Sequence, residues 1–424
     1  MPFFFGSSRL LRENSMMRRL PVLLRAWLPG FFPMLLVALP FYVIRFHVGP
    51  IPTTFLECVI LLFLFLFSLA HGRTGWKTGW DEQKTLRWPI VVWLFVSLAA
   101  AGWSLHPWTG LGLWRAYVLE PILIFFILPT LLQKKKDCAR MQTVLALLPV
   151  FLLLWAAVQF VTGMGIPSPW HVSLAEGRRA TGPFPFPNAL ALFVVPIGAW
   201  AGYTFFRKPK RWWFALSWVA VFLVALLARS DGGTLALLVA TWVAMLFFKR
   251  WRIIAFVLAG TIAGAAVTFP SIHDPLLHEL LFQGWSGKVR LIMWGETWNM
   301  LRNHVFFGAG FGGYPALFVT YHKATFIEIF QYPHNILFNF WSETGLPGVL
   351  AFSWLWITWF RAAWKHSQSS FFLVLVISIA YFVHGLVDVP FFKNDLAVIF
   401  WILLYFTTRS SLTEVPTSDR IPQQ

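Results

Sequence analysis

The sequence predicts an all-α polytopic membrane protein of about 12 transmembrane helices with a large extracytoplasmic helical loop. Three observations lead there. Hydrophobic residues make up 58% of the chain and charged residues 12%, about half the charged share of a soluble domain. The mean hydropathy is +0.66. Apolar runs of roughly 17 to 25 residues, the length needed to cross about 30 Å of hydrocarbon, recur from end to end.

In order, the candidate spans are 27–45, 51–70, 88–104, 112–132, 142–162, 188–206, 212–228, 232–248, 253–269, 346–364, 370–388 and 395–408. The first follows Arg9, Arg12, Arg18, Arg19 and Arg25. That resembles the charged start of a signal peptide, but the run is long and lacks a small-residue cleavage site, so a retained anchor is expected. The whole chain, 1–424, is expected to form one integral membrane domain. Its polar excursions are a first loop, 163–187, a large loop, 270–345, and a polar tail, 409–424.

The net charge of +17 does not indicate nucleic acid, because the basic residues fall in small clusters between spans. Their natural partners are membrane lipids with anionic head groups. With the N-terminus in the cytoplasm, most of the 34 Lys and Arg lie on that side, and the alternation never breaks. Both loops then face the periplasm or cell exterior, and the tail is cytoplasmic. Cys58 and Cys138 fall at opposite faces, so no disulfide framework is expected.

The chemistry concentrates in YPHNILFNFWSETGLPGVL. His334 and Asn335 open a short aromatic helix, Gly345 can close it in a left-handed cap, and Pro347 can start the next helix. His334 is therefore expected at the membrane–water boundary on a ledge of about 16 Å. Cations placed outside against the charge rule need a reason. Arg178 and Arg179 lie in the first loop; Lys288 and Arg290 lie in an aromatic helical segment of the second. Solvated loop charge is the simplest account of any one of them. As a set they suit an anion, since arginine offers a planar fork matched to phosphate oxygens.

His334-Asn335, nine residues, then Gly345-x-x-Gly348 resembles the extracytoplasmic-loop signature of the O-antigen ligase family (WaaL-like), which shares its core with the Wzy O-antigen polymerases. Arg179-Ala180-Thr181-Gly182 with Pro187-Asn188 agrees too, as do Arg290 and Trp294 upstream of Gly308–Gly312. The matching motifs cover roughly residues 175 to 350. Where many relatives carry Ser-Arg-Gly, this chain reads Arg229-Ser230-Asp231-Gly232-Gly233, so Arg229 ranks lower as a phosphate ligand.

The resemblance implies a GT-C-like fold in the bacterial inner membrane with its active site on the periplasmic side. It implies glycan transfer from undecaprenyl diphosphate to a hydroxyl of lipid A core or another glycan acceptor, without cofactor or metal. Arg178, Arg179, Arg290, Lys288 and, below them, Arg229 would hold the donor diphosphate; His334 would accept the hydroxyl proton, with Asn335 beside it. His384 and Asp388, four apart near the outer end of a span, could orient His334 or line the acceptor cavity, though a structural polar network between helices is the simpler account of them.

His273, His278, His304 and His322 read as solvated or interfacial, Asn188 as a helix N-cap, GAGFGGY (308–314) as a tight turn, and Arg115 with Glu120 as an internal pair. Polymerase, protein O-oligosaccharyltransferase and polytopic transporter remain the alternatives. A transporter would show paired half-repeats, and a nucleotide-sugar transferase an Asp-x-Asp pair; neither is visible.

Overall fold

A computed structural model of the chain describes residues 20–49, 51–269, 271, 274, 277–279 and 281–408. The expectations for Arg9 to Arg19, His273 and the tail 409–424 fall outside the described residues. The fold is a helical bundle: α1 (Leu20–Phe31), α2 (Met34–Ala38), α3 (Phe55–Glu82), α4 (Arg87–Trp103), α5 (Pro107–Trp114), α6 (Glu120–Leu131), α7 (Lys135–Thr162), α8 (Pro187–Arg207), α9 (Trp212–Leu227), α10 (Asp231–Leu246), α11 (Lys249–Thr268), α12 (Trp285–Asn303), α13 (Tyr314–Phe318), α14 (Ile336–His366), α15 (Gln368–Gly385) and α16 (Asn394–Thr408).

Among the described residues, six helical stretches are long and apolar enough to cross a membrane, or seven if α1 and the helix after it form one bent span. Four shorter apolar helices, α4, α9, α10 and α16, accompany them. The expected first span is bent by 57°, where Pro33 precedes α2 and cannot donate the N–H that would continue α1.

Expectation and structure part at its end. Instead of an unbroken all-α chain, Arg45–Val48 (β1) pairs antiparallel with Ile51–Thr54 (β2), and Gly49 supplies positive φ at the turn. Span two accordingly begins at Phe55 rather than 51. Its N-cap is a reciprocal box in which the Thr54 hydroxyl accepts from the Glu57 N–H and the Glu57 carboxylate from that of Thr54.

Apolar all-round helices belong in the middle, and α8 and α16 are buried along nearly their whole length. α11 sits at the rim, with Ala255 its one buried residue among those described, as a lipid-facing helix should. Arg115 reaches Glu57 at 2.8 Å and Glu120 at 3.3 Å, so the expected internal pair is a three-residue cluster. Cys58 is exposed, and the buried Cys138 thiol donates to the carbonyl of Leu132 at 3.0 Å.

The second loop has a small core of its own. Met293, Met300, Leu301, Tyr314 and Phe318 pack together and rest on Phe338 and Trp341 at the start of α14. Glu296 pins the chain beyond α13: its carboxylate accepts from the N–H groups of Lys323 and Ala324 and contacts His322 Nδ1 at 2.9 Å. The GAGFGGY stretch is a turn, as expected. Gly310 is required there, because a Cβ would come within 2.6 Å of Ser104 Cα, and Glu343 accepts the N–H of Gly312 at 2.7 Å.

Candidate functional site

α14 starts as the sequence suggests. Asn335 is its N-cap, its side-chain oxygen accepting from the N–H groups of Leu337 and Phe338, while its amide donates to the carbonyl of Leu386 at 3.1 Å. After the nine residues 336–344, Gly345 breaks the helix at φ 66°, ψ 179°. The ledge 336–344 is therefore a separate rigid arm ahead of the apolar helix.

His334 stands just before that arm at φ 46°, a left-handed conformation costing a non-glycine residue about 1–3 kcal/mol. Its neighbours hold it there. Trp294 donates to the carbonyl of Pro333 at 2.8 Å, and the rings of Phe330 and Tyr332 meet the imidazole edge-on, 5.2 and 4.9 Å between centroids. Nδ1 lies 3.2 Å from Asp388 Oδ1. The imidazole is 19% exposed and the carboxylate 2%.

Asp388 sits three residues past α15, and the N–H of Val389 also donates to Oδ1, at 2.9 Å. Burial works to raise this carboxyl, but the charge and hydrogen bond of His334, with His384 and Lys393 beyond, hold it well below the usual carboxylate range. An ionised carboxylate can only accept, so the proton of a neutral imidazole belongs on Nδ1, and Nε2 keeps its lone pair.

Cations reach this point from three segments. Arg290 on α12 donates from Nε to the carbonyl of Val387 at 3.0 Å, beside Asp388, and from a terminal nitrogen to Ser286 Oγ at 2.6 Å. Arg179 donates to the carbonyl of Ala228 and to Asn188 Oδ1, both at 2.8 Å, with Trp170 stacked 5.1 Å away. Burial lowers the Arg179 guanidinium from its ordinary value; Asp231 opposes this, and Arg229 and Arg290 add to it. Those three therefore lie within its electrostatic reach.

The start of α10 closes the group, since a Cβ on Gly233 would stand 3.2 Å from His384 Cε1 and one on Gly232 2.5 Å from Val387. Arg229, at φ 46°, is exposed at this turn. The structure thus brings together His334, Asn335, Asp388, His384, Arg179, Arg229 and Arg290.

Two candidates stand apart. Arg178 turns to the C-terminal end of α7, donating to the carbonyls of Phe160 and Val161 at 3.0 Å and of Val172 at 2.8 Å. Lys288 is exposed on α12, two residues and therefore about half a turn from Arg290. Asn188 differs from expectation: Phe186 is the N-cap of α8, Pro187 follows, and the Asn188 side chain receives Arg179 instead.

Sequence reasoning passed over Lys393. Its ammonium is buried 4.1 Å above the Phe186 ring and 5.9 Å from that of Tyr332, with no hydrogen-bond partner among the described residues. Burial lowers it, and Asp395 and Asp388 push the other way. The signal was present in the sequence: a lone lysine in PFFKNDL, at the wrong end of a span for the charge rule.

With that geometry in place, a comparison with known families is informative. Residues 214–353 match the family described as O-antigen ligase, a region running from the start of α9 through the second loop and into α14. The chain is thus a multi-pass membrane protein with an O-antigen ligase-like domain. That region includes Arg229, Arg290, His334 and Gly345, whereas Arg179 and Asp388 lie outside it. A search of curated proteins found no match.

Proposed function

We propose that this protein is a glycosyltransferase of the O-antigen ligase kind, carrying a glycan from undecaprenyl diphosphate to a hydroxyl of lipid A core. In this reading about 12 helices cross a bacterial inner membrane in a GT-C-like arrangement, and His334 faces the periplasm. The acceptor oxygen bonds to the anomeric carbon, its proton passes to His334 Nε2, and the bond to the diphosphate breaks with its electron pair leaving on the phosphate oxygens. Arg179, Arg290 and Arg229 meet that developing charge.

One observation carries the proposal: the Nδ1 of His334 on the buried Asp388, with Arg290 anchored on the adjoining Val387. Together they support a reading in which a proton acceptor stands beside an anion-stabilising group. No group of three or more potential metal ligands occurs among the described residues.

The test is reconstitution of the purified chain with undecaprenyl-diphosphate glycan and each acceptor in turn, with and without EDTA. Transfer to lipid A core that survives EDTA and is lost in His334→Ala is the expected result. Elongation of a second lipid-linked unit would make the protein a polymerase, and transfer to a polypeptide an O-oligosaccharyltransferase. Unimpaired turnover in His334→Ala would remove the proposed base.

A further inference from the structure

At the end of the bundle remote from His334, a small cleft opens where the last turn of α8 meets α7, α15 and α16. α8 begins next to Arg179 and runs 21 residues to Arg207, so the cleft lies about 30 Å from the candidate site. Arg207, Lys208 and Arg211 form its rim, and the buried side chains of Trp200, Leu373 and Phe406 form its floor.

Among the described residues neither Arg207 nor Arg211 forms an ion pair. The nearby Arg250 shows what a satisfied cation looks like here: it donates to the carbonyl of Phe206 at 2.7 Å and lies 5.7 Å from the Trp251 ring. The cleft is small, with room for little more than one phosphate group.

We propose that this cleft is a binding site for the phosphate of an anionic phospholipid. The guanidinium forks of Arg207 and Arg211 hold the phosphate oxygens, and the acyl chains leave past Trp212, which is exposed beside Arg211 at the start of α9. That exposed indole, at the end of membrane-crossing helices, is what favours a lipid over a free anion. The site is independent of the transfer reaction and would stand if that reaction were refuted.

Native mass spectrometry of the delipidated full-length protein, titrated with phosphatidylglycerol or phosphatidylcholine, tests it. Phosphatidylglycerol should be retained in preference to phosphatidylcholine. The double variant Arg207→Gln/Arg211→Gln should weaken that retention roughly thirtyfold. Arg207→Lys/Arg211→Lys, which keeps the charge, should retain most of it, and Arg252→Gln, elsewhere on this face, should change nothing. Equal retention of the two lipids, or wild-type retention in the Gln double variant, overturns the proposal. So does an equal loss in Arg252→Gln, which would make the effect one of general surface charge. Full displacement by millimolar inorganic phosphate would reassign the cleft to a free anion and overturn the lipid.

Discussion

His334 and Asp388, 54 positions apart, meet at 3.2 Å across the junction between the second loop and the end of α15. The carboxylate fixes which imidazole nitrogen carries the proton and is positioned to stabilise the imidazolium that proton transfer would create. Asp388→Asn keeps the shape but presents an amide that can settle against the wrong tautomer. Turnover is expected to fall by roughly 10² to 10⁴ with little change in donor KM. A donor-binding role would instead move KM, so steady-state kinetics of the variant, measured beside His334→Ala, separate the two.

Adjacent arginines are expected to do different work. Arg178 holds two carbonyls at the end of α7 and that of Val172 in the first loop, so Arg178→Ala should lower thermal stability by about 1–2 kcal/mol and leave donor KM nearly unchanged. Arg179 is held by Asn188 and the Ala228 carbonyl within reach of Arg229 and Arg290. Arg179→Ala should raise donor KM about tenfold or more, with a smaller effect on unfolding. Thermal unfolding and donor titration of both variants decide the matter, and interchangeable behaviour would refute the division.

Acid should loosen the second loop before the bundle. Burial acts to raise the Glu296 carboxyl, but His322 and the N–H groups of Lys323 and Ala324 outweigh it and hold the group below its ordinary 4.5. A depressed folded value means this stabilisation is complete above about pH 4.5 and is lost as pH falls through the folded value. Relative to the intrinsic rate at each pH, amide exchange in 319–330 should therefore rise in the wild type as pH falls below the ordinary 4.5. Glu296→Gln should show fast exchange there already at neutral pH and little further change on acidification.

How much of this could be read from the chain depended on how local the cause was. Hydropathy placed the helices, and Gly345, Asn335 and the GAGFGGY turn were legible because each depends on its immediate neighbours. The bend at Pro33 and the β1–β2 hairpin were missed, since an apolar count treats Arg45–Thr54 as the join between two spans. Arg178 and Arg179 could not be told apart by sequence: their partners lie on α7 and at Ala228, and only tertiary packing chooses. Asp388 and His384 were seen as a helical pair, but Asp388 lies beyond α15 and its partner comes from another segment. Lys393 obeyed no motif.

Gly345 offers the sharpest test of how His334 is positioned. At φ 66°, ψ 179° it occupies a region essentially closed to residues with a Cβ, and a methyl there would collide with the carbonyl of Phe306. The break also frees the N–H of Leu346 to donate to the carbonyl of Val305 at 3.1 Å, tying the second loop to the ledge. Gly345→Ala must therefore either strain the backbone or straighten α14, and straightening swings Asn335 and His334 away from Leu386 and Asp388. Stability is expected to fall by at least about 2 kcal/mol, with transfer activity lost in the molecules that remain folded. Gly295 provides the counterpart: it lies in α12 with open space where a Cβ would go, so Gly295→Ala should raise stability by roughly 0.5–1 kcal/mol. Tryptophan-fluorescence melts of the two variants in the same detergent should move in opposite directions, and a shared direction would show that the ledge is not set by the conformation of Gly345.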